Sequence, residues 1–144
     1  MKGDVSLLEE YYKNKINYKE YIILMKYGNF YEIVGQDALI MNKIFNYKIS
    51  KLSNSFKVGF PVSNVDEVLD KLEELFINYV VFNKNEILFM KKFDNNKYND
   101  YVVNEDIIRC NLILINYIND YLNNNLLNND ISNKLERIKD IINE

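Results

Sequence analysis

The 144-residue sequence predicts an α/β domain of the α+β kind, a mixed β-sheet flanked by helices, with two extra helices at its C-terminal end. Three observations predict it. Short runs of strand formers recur in pairs between stretches of helical period. The segment "SNVDEVLDKLEELFI" carries one apolar stripe, Val65, Val68, Leu69, Leu72, Leu75 and Phe76, as an amphipathic helix does. The residues after 104 show only helical periodicity. The expected division is therefore a mixed-sheet domain over 1–103 and a helical extension over 104–144, packed on the domain or used in association.

Taken in order, "SLLEEYYKNKINYK" reads as a helix, with Ser6 as cap and Glu9 three residues on, the capping-box spacing. "YIILMKY" is a strand ending at the turn pair Gly28-Asn29, and "FYEIV" continues as the second strand of a hairpin. Gly35 breaks it. Ala38, Met41, Ile44 and Phe45 then suit a short amphipathic helix. "YKISKLS" and "FKVGFPV" are alternating strands, the second ended by Pro61. Ser63 or Asn64 can cap the striped helix, and Asp66 and Glu67 suit its positive end. "NYVVF" is a buried strand, "EILFMKKF" another after the turn "NKN", and "DNNKYND" a polar loop. Ile108, Leu112, Ile115, Ile118 and Leu122 mark a long helix; Ile131, Leu135, Ile138 and Ile142 mark the last.

Composition excludes several chemistries. With no histidine and one cysteine, there is no internal disulfide, no thiolate–imidazole zinc site and no Ser-His or Cys-His nucleophile pair. Cys110, in the apolar run "IIRCNLILI", is expected to be packing. Four glycines supply no phosphate-cradling loop, and no carboxylates show Asp-x-Asp or EF-hand spacing. The chain is expected not to be an enzyme and to need no cofactor or metal. No run approaches the ~18 apolar residues of a membrane span. The first residues lack a signal peptide's apolar region, so the expected location is cytoplasmic. The net charge of −3 is uneven: residues 1–60 balance at +3 and residues 61–144 at −6. Phosphate contacts, if made, belong mainly to the first part.

The hairpin stretch "MKYGNFYEIVGQDA" raises a sharper possibility. Residues 30 and 32 share one side of a strand, so Phe30 and Glu32 can point outward together while Tyr31 faces the core. Gly28, Phe30, Tyr31, Glu32, Asp37 and Ala38 match a G-D-F-Y-E strand pair followed by D-A and a helix. Gly59, Pro61, Val65, Leu69, Lys71, Leu72 and Leu75 match a G-V-P entry, a helix and then a strand. Over roughly residues 6–84 the chain thereby resembles the N-terminal mismatch-recognition domain, domain I, of the MutS family of DNA mismatch-repair proteins. The resemblance implies that domain's fold and a non-catalytic, DNA-binding role. It implies that Phe30 stacks on a mispaired base from the minor groove and that Glu32 hydrogen-bonds that base. Gly28 and Asn29 would shape the turn beside the duplex, with Gly28 serving turn geometry first. Lys26, Lys51 and Lys57, and also Lys13, Lys15 and Lys48, are candidate phosphate contacts, each equally readable as an ordinary solvated lysine.

The chain departs from the family pattern in places. The acidic residue after the glycine is Asn29, the usual glycine between helix and strand is Phe76, and a Glu-Gln pair is replaced by Asn83-Lys84. The family's connector, lever, clamp and ATPase domains have no counterpart in these residues. Two functions follow: a module that senses mismatched or distorted duplex DNA, or a protein–protein adaptor that kept the fold without DNA contact. The partners implied are mismatched duplex, a full-length mismatch-repair protein, or a second copy joined through the C-terminal helices, with no membrane. A carboxylate-dependent enzyme has nothing in the sequence to support it. The first function requires Phe30 and Glu32 exposed together beside basic groups; the second, a buried Phe30 or negative surroundings.

Overall fold

The computed structural model describes residues 2–144, with side chains from Ser6 onward. They form two compact units, one ending at Val103 and one spanning Asn104–Glu144. The first runs α1 (Lys2–Lys15), β1 (Ile22–Tyr27), β2 (Phe30–Val34), α2 (Gly35–Phe45), β3 (Ser50–Leu52), β4 (Ser55–Pro61), α3 (Val65–Glu74), β5 (Tyr79–Asn83) and β6 (Glu86–Lys91). The strands make one mixed sheet in the order β3-β4-β2-β1-β5-β6. β1 and β5 run parallel; every other neighbouring pair is antiparallel. The α+β class read from periodicity is the class observed.

Alternation along the strands builds two cores. On one face Tyr31, Ile33, Val58 and Phe60 are buried, with α2 packed on β2 and β4. On the other, Leu7 and Tyr11 of α1 pack with Ile23, Met25, Val34, Val80 and Phe82. Leu52 of β3 joins that cluster, while Phe30 and Pro61, at the paired ends of β2 and β4, stay exposed. The hairpin between β1 and β2 closes over Gly28-Asn29, where Gly28 has φ +59°. A two-residue hairpin loop of this kind needs a glycine at its first position.

α3 ends in a Schellman motif. Phe76 N–H donates to the Glu73 carbonyl at 3.1 Å, and Ile77 N–H to the Leu72 carbonyl at 2.9 Å. Phe76 stands where the resembled family carries glycine, and its φ of +58° confirms that the position demands the left-handed region. A side chain there costs about 1–2 kcal/mol. Its edge-on contact with Phe93, centroids 5.6 Å apart, returns about 0.5–1.5 kcal/mol. The chain therefore keeps a non-glycine residue at near balance.

The structure corrects several expectations. α1 begins at Lys2, so Ser6 lies inside the helix and does not cap it. A cap contributes only about 1 kcal/mol, which continued backbone bonding outweighs. Neither Ser63 nor Asn64 caps α3 by its side chain; Val62–Asn64 form a 3-10 turn leading into it. The polar stretch 94–100 is not simply loop: a 3-10 turn at Tyr98–Tyr101 buries Tyr98. Polar composition hid it because its ring reaches the interior through a hydroxyl that has a polar partner there.

That partner is Asp37, in the first turn of α2 and wholly buried. Its carboxylate accepts from Lys15 Nζ at 2.9 and 3.0 Å, from Tyr98 Oη at 2.5 Å and from Ile23 N–H at 3.0 Å. Lys15 Nζ also donates to the Tyr21 carbonyl at 2.6 Å. Burial pushes the Asp37 carboxyl up and the Lys15 ammonium down, and their mutual attraction opposes both shifts. The network joins α1, β1, α2 and the Tyr98 turn through one carboxylate. Lys15 is thus committed to the interior and is no candidate phosphate contact.

The second unit is α4 (Glu105–Asn124) and α5 (Ile131–Ile142). Asn104 caps α4, its side chain accepting from Asp106 N–H at 2.9 Å. No residue of α4 is buried, and Ile131 alone is buried in α5. Cys110 is therefore exposed, contrary to the packing role expected of it. Its apolar neighbours lie on a helix that these residues leave largely uncovered. Among the described residues no helix is long and apolar enough to cross a membrane.

Candidate nucleic-acid interface

Cross-strand partners share a face, so the sheet register fixes what surrounds the hairpin. Phe30 pairs with Tyr27 on β1 and with Pro61 on β4. Glu32 pairs with Met25 and with Gly59. Phe30 is 49% exposed, whereas Tyr31, between it and Glu32, is 2% exposed and packs its ring on Phe60. Tyr27, Phe30 and Pro61 thus form an exposed apolar corner on the face against which α1 packs. Among the described residues no other ring stacks on Phe30.

Glu32 lies across β4. A Cβ added at Gly59 would sit 3.2 Å from Glu32 Oε2 and 3.4 Å from the Tyr31 carbonyl. The missing side chain at 59 is what lets the carboxylate occupy this place. Lys57 Nζ is 3.9 Å from Glu32 Oε2, a loose, half-solvated pair. Burial raises the Glu32 carboxyl above its ordinary range, and Lys57 works against that rise. The Tyr27 hydroxyl donates to Glu10 Oε2 at 2.6 Å, and burial with this bond pushes its pKa up to about 12. Tyr27 is therefore a neutral, fixed flank beside Phe30.

The register brings Phe30, Glu32 and Lys57 together and separates other candidates from them. Lys26 pairs with Tyr31 and Lys51 with Phe56, so both belong to the opposite face. Gly28 and Asn29 form the turn itself. No atom approaches within 4 Å of a Cβ built on Gly28, and the Asn29 carbonyl accepts from Val62 N–H at 2.9 Å, tying the turn to the end of β4. Lys48 is exposed outside the strands. Lys13, Lys26 and Lys84 line one cleft of about 510 Å3 between α1 and the ends of β1 and β5. Glu9 and Glu10 share it, as do Tyr27 and Gly28 of the hairpin. Sequence reasoning missed Tyr27, Gly59 and Lys84 as neighbours of the site. Alternation would have found the first two, given the pairing of β2 with β4. Among the described residues no cluster of acidic and cysteine side chains is placed to hold a metal ion.

The class these features define is a mixed-sheet α+β domain with a half-exposed aromatic and a partly buried carboxylate on one strand face. The family model described as MutS domain I matches residues 5–109, and the chain belongs to that family. Similar relatives are DNA mismatch repair proteins MutS. That of Thermosipho melanesiensis is 35% identical over 68 residues, 47% of this chain and 8% of the relative. That of Thermotoga maritima is 34% identical over 68 residues, 47% of this chain and 9% of the relative. That of Ehrlichia ruminantium strain Gardel is 33% identical over 69 residues, 48% of this chain and 9% of the relative. The matched segment thus covers less than a tenth of the length of these curated relatives.

Proposed function

We propose that this chain is a non-catalytic DNA-binding module that senses mismatched or distorted duplex, with Phe30 as the base wedge and Glu32 as its polar neighbour. The observation that carries the reading is the half-exposed Phe30 ring beside Glu32 and Lys57, in a chain whose named relatives are mismatch-repair proteins. An aromatic inserted between base steps partly unstacks them, and mispaired steps yield more cheaply. Glu32 faces phosphate repulsion unless a base edge offers it a donor or it takes up a proton. In this reading the module acts in the cytoplasm. Titration of matched and single-mismatch duplexes at low salt tests it.

Two further outcomes are expected. Because burial raises the Glu32 carboxyl, its protonation begins above the ordinary carboxylate range as pH falls. Protonation removes a negative charge facing the duplex, so mismatch affinity rises as pH falls through the Glu32 titration. Glu32→Gln flattens this dependence; a slope unchanged by Glu32→Gln would contradict the assignment. Secondly, substituting Lys13 and Lys84 with glutamine weakens matched and mismatched duplex alike. It reduces the salt dependence of binding by about one unit of slope for each lysine that meets a phosphate. A loss confined to the mismatch would contradict a phosphate role for that cleft.

The second reading, a protein–protein modulator acting on a full-length mismatch-repair protein, is favoured by one observation. The second unit leaves Ile113, Leu114 and Ile115 exposed on a helix with nothing buried. Binding to such a protein with no affinity for DNA would favour it over the first.

A further inference from the structure

We propose that β6 is an interaction edge whose partner is β6 of a second copy. The two strands pair antiparallel about a two-fold axis, so that Glu86 of each faces Lys91 of the other and Ile87 faces Met90. β6 ends the sheet: one side pairs with β5, and among the described residues no strand pairs with the other. An edge of this kind presents backbone N–H and C=O groups that can template a further strand. No residue of β6 is buried, and Ile87, Phe89 and Met90 are all exposed. A long edge with large apolar side chains in solvent is the kind that another strand covers.

The register on β5 assigns the side chains of β6 to faces, and the faces indicate a second copy. Ile87 pairs with Phe82 and Met90 with Val80, on the face against which α1 packs. Glu86 pairs with Asn83, Phe89 with Val81 and Lys91 with Tyr79, on the opposite face. Leu88, left out of that register, is the extra residue of a bulge. Opposed residues of an antiparallel pair must share a face. In a regular strand, residues an odd number of positions apart do not. The bulge makes the exception: it brings 87 and 90 to one face and 86 and 91 to the other. An axis between Leu88 and Phe89 therefore opposes Ile87 to Met90 on the first face and Glu86 to Lys91 on the second, each twice by symmetry. Shifting the pairing by one residue would set Ile87 against Phe89 or Lys91, which lie on the wrong face. Bulges and lysines usually guard an edge. Here the two bulges meet at the axis, and each lysine meets a glutamate. Within its own chain Lys91 has only a loose pair, 3.8 Å from Glu73, and Glu86 has no ion pair among the described residues. A strand complementary to itself in charge and in apolar contact closes in a two-fold pair, the commonest form of oligomer. The pairing is independent of what Phe30 reads, since β1 and β5 lie between β2 and β6.

Sedimentation of the full chain over a concentration series up to about 0.5 mM tests the proposal, with thermal melting as the check on folding. A six-residue edge is small beside the ~20–30 residues a side of a standard interface, so the wild type is expected to dimerise weakly, in the upper micromolar range. Glu86→Lys, and separately Lys91→Glu, set like charges opposite each other at two symmetric places and are expected to weaken the dimer about tenfold. Mixing these two variants is expected to restore association, because every opposed pair is then again a lysine with a glutamate. Lys48→Glu, the same change of charge beside β3 at the far edge of the sheet, is expected to leave the dimer unchanged. A wild type monomeric throughout, including one whose β6 pairs only with another protein, would overturn the proposal. So would a dimer that keeps its affinity in both folded variants, or a mixture that associates no better than either variant alone.

Discussion

Asp37→Ala is expected to cost about 3–5 kcal/mol, the price of stripping a buried ion pair of one partner. A domain of this size has only about 5–15 kcal/mol in total, so the variant should be largely unfolded well below the melting point of the wild type. The loss has three parts. The Lys15 ammonium, at the end of α1, keeps the Tyr21 carbonyl and the Tyr98 hydroxyl as acceptors but has no counter-charge. Tyr98 loses the acceptor that draws its hydroxyl inward, and burial beside Asp37 already holds that hydroxyl in its neutral, donating form. Ile23 N–H, in the central strand, is left without the Asp37 oxygen it donates to. Chemical denaturation of Asp37→Ala and of the double variant Lys15→Met/Asp37→Leu separates charge from packing. The double variant is expected to recover part of the loss, because no unpaired ammonium is left behind. A double variant no more stable than Asp37→Ala would show that the ion pair is not what the single substitution breaks.

Phe30→Ala is expected to remove most of the preference for mismatched duplex while leaving the fold intact. A base stacked on an aromatic ring contributes about 1–3 kcal/mol, roughly five- to a hundred-and-fifty-fold in affinity. Affinity for matched duplex should change much less, since no step is opened there. The fold should lose no more than about 1 kcal/mol, because half of the ring is already in solvent and no other ring packs on it. Phe30→Tyr or Phe30→Trp, which keep a stacking face, should retain part of the preference. Phe30→Leu should lose most of it, which distinguishes stacking from mere apolar contact.

The order of elements was legible because it rests on local periods. The alternation of "FYEIV" and the stripe from Val65 to Phe76 each identify an element without help from the rest of the chain. The same alternation placed Phe30 and Glu32 on one side with Tyr31 inward. What the sequence could not yield depends on contacts distant along it. Lys51 and Lys57 both read as basic strand residues, and only the register of β3 on β4 shows that they lie on opposite faces. Lys15 read as a surface lysine at the end of an amphipathic helix. Its commitment to Asp37 and Tyr98, 22 and 83 residues away, is a tertiary fact. Cys110 read as packing because a free thiol in an apolar run usually finds cover, and α4 keeps it exposed. Phe76 marks the reverse case: the left-handed turn is there, but the glycine that would announce it is not.

The central claim is that Phe30 reads a distorted base. It is tested most directly by titrating the full chain, at low salt, with duplexes that differ only in carrying one mismatch, using wild type and Phe30→Ala side by side. Tighter binding of the mismatched duplex by wild type, with the difference lost in Phe30→Ala, is the expected result. Equal affinity for both duplexes in the wild type, or a preference that survives Phe30→Ala, would contradict it.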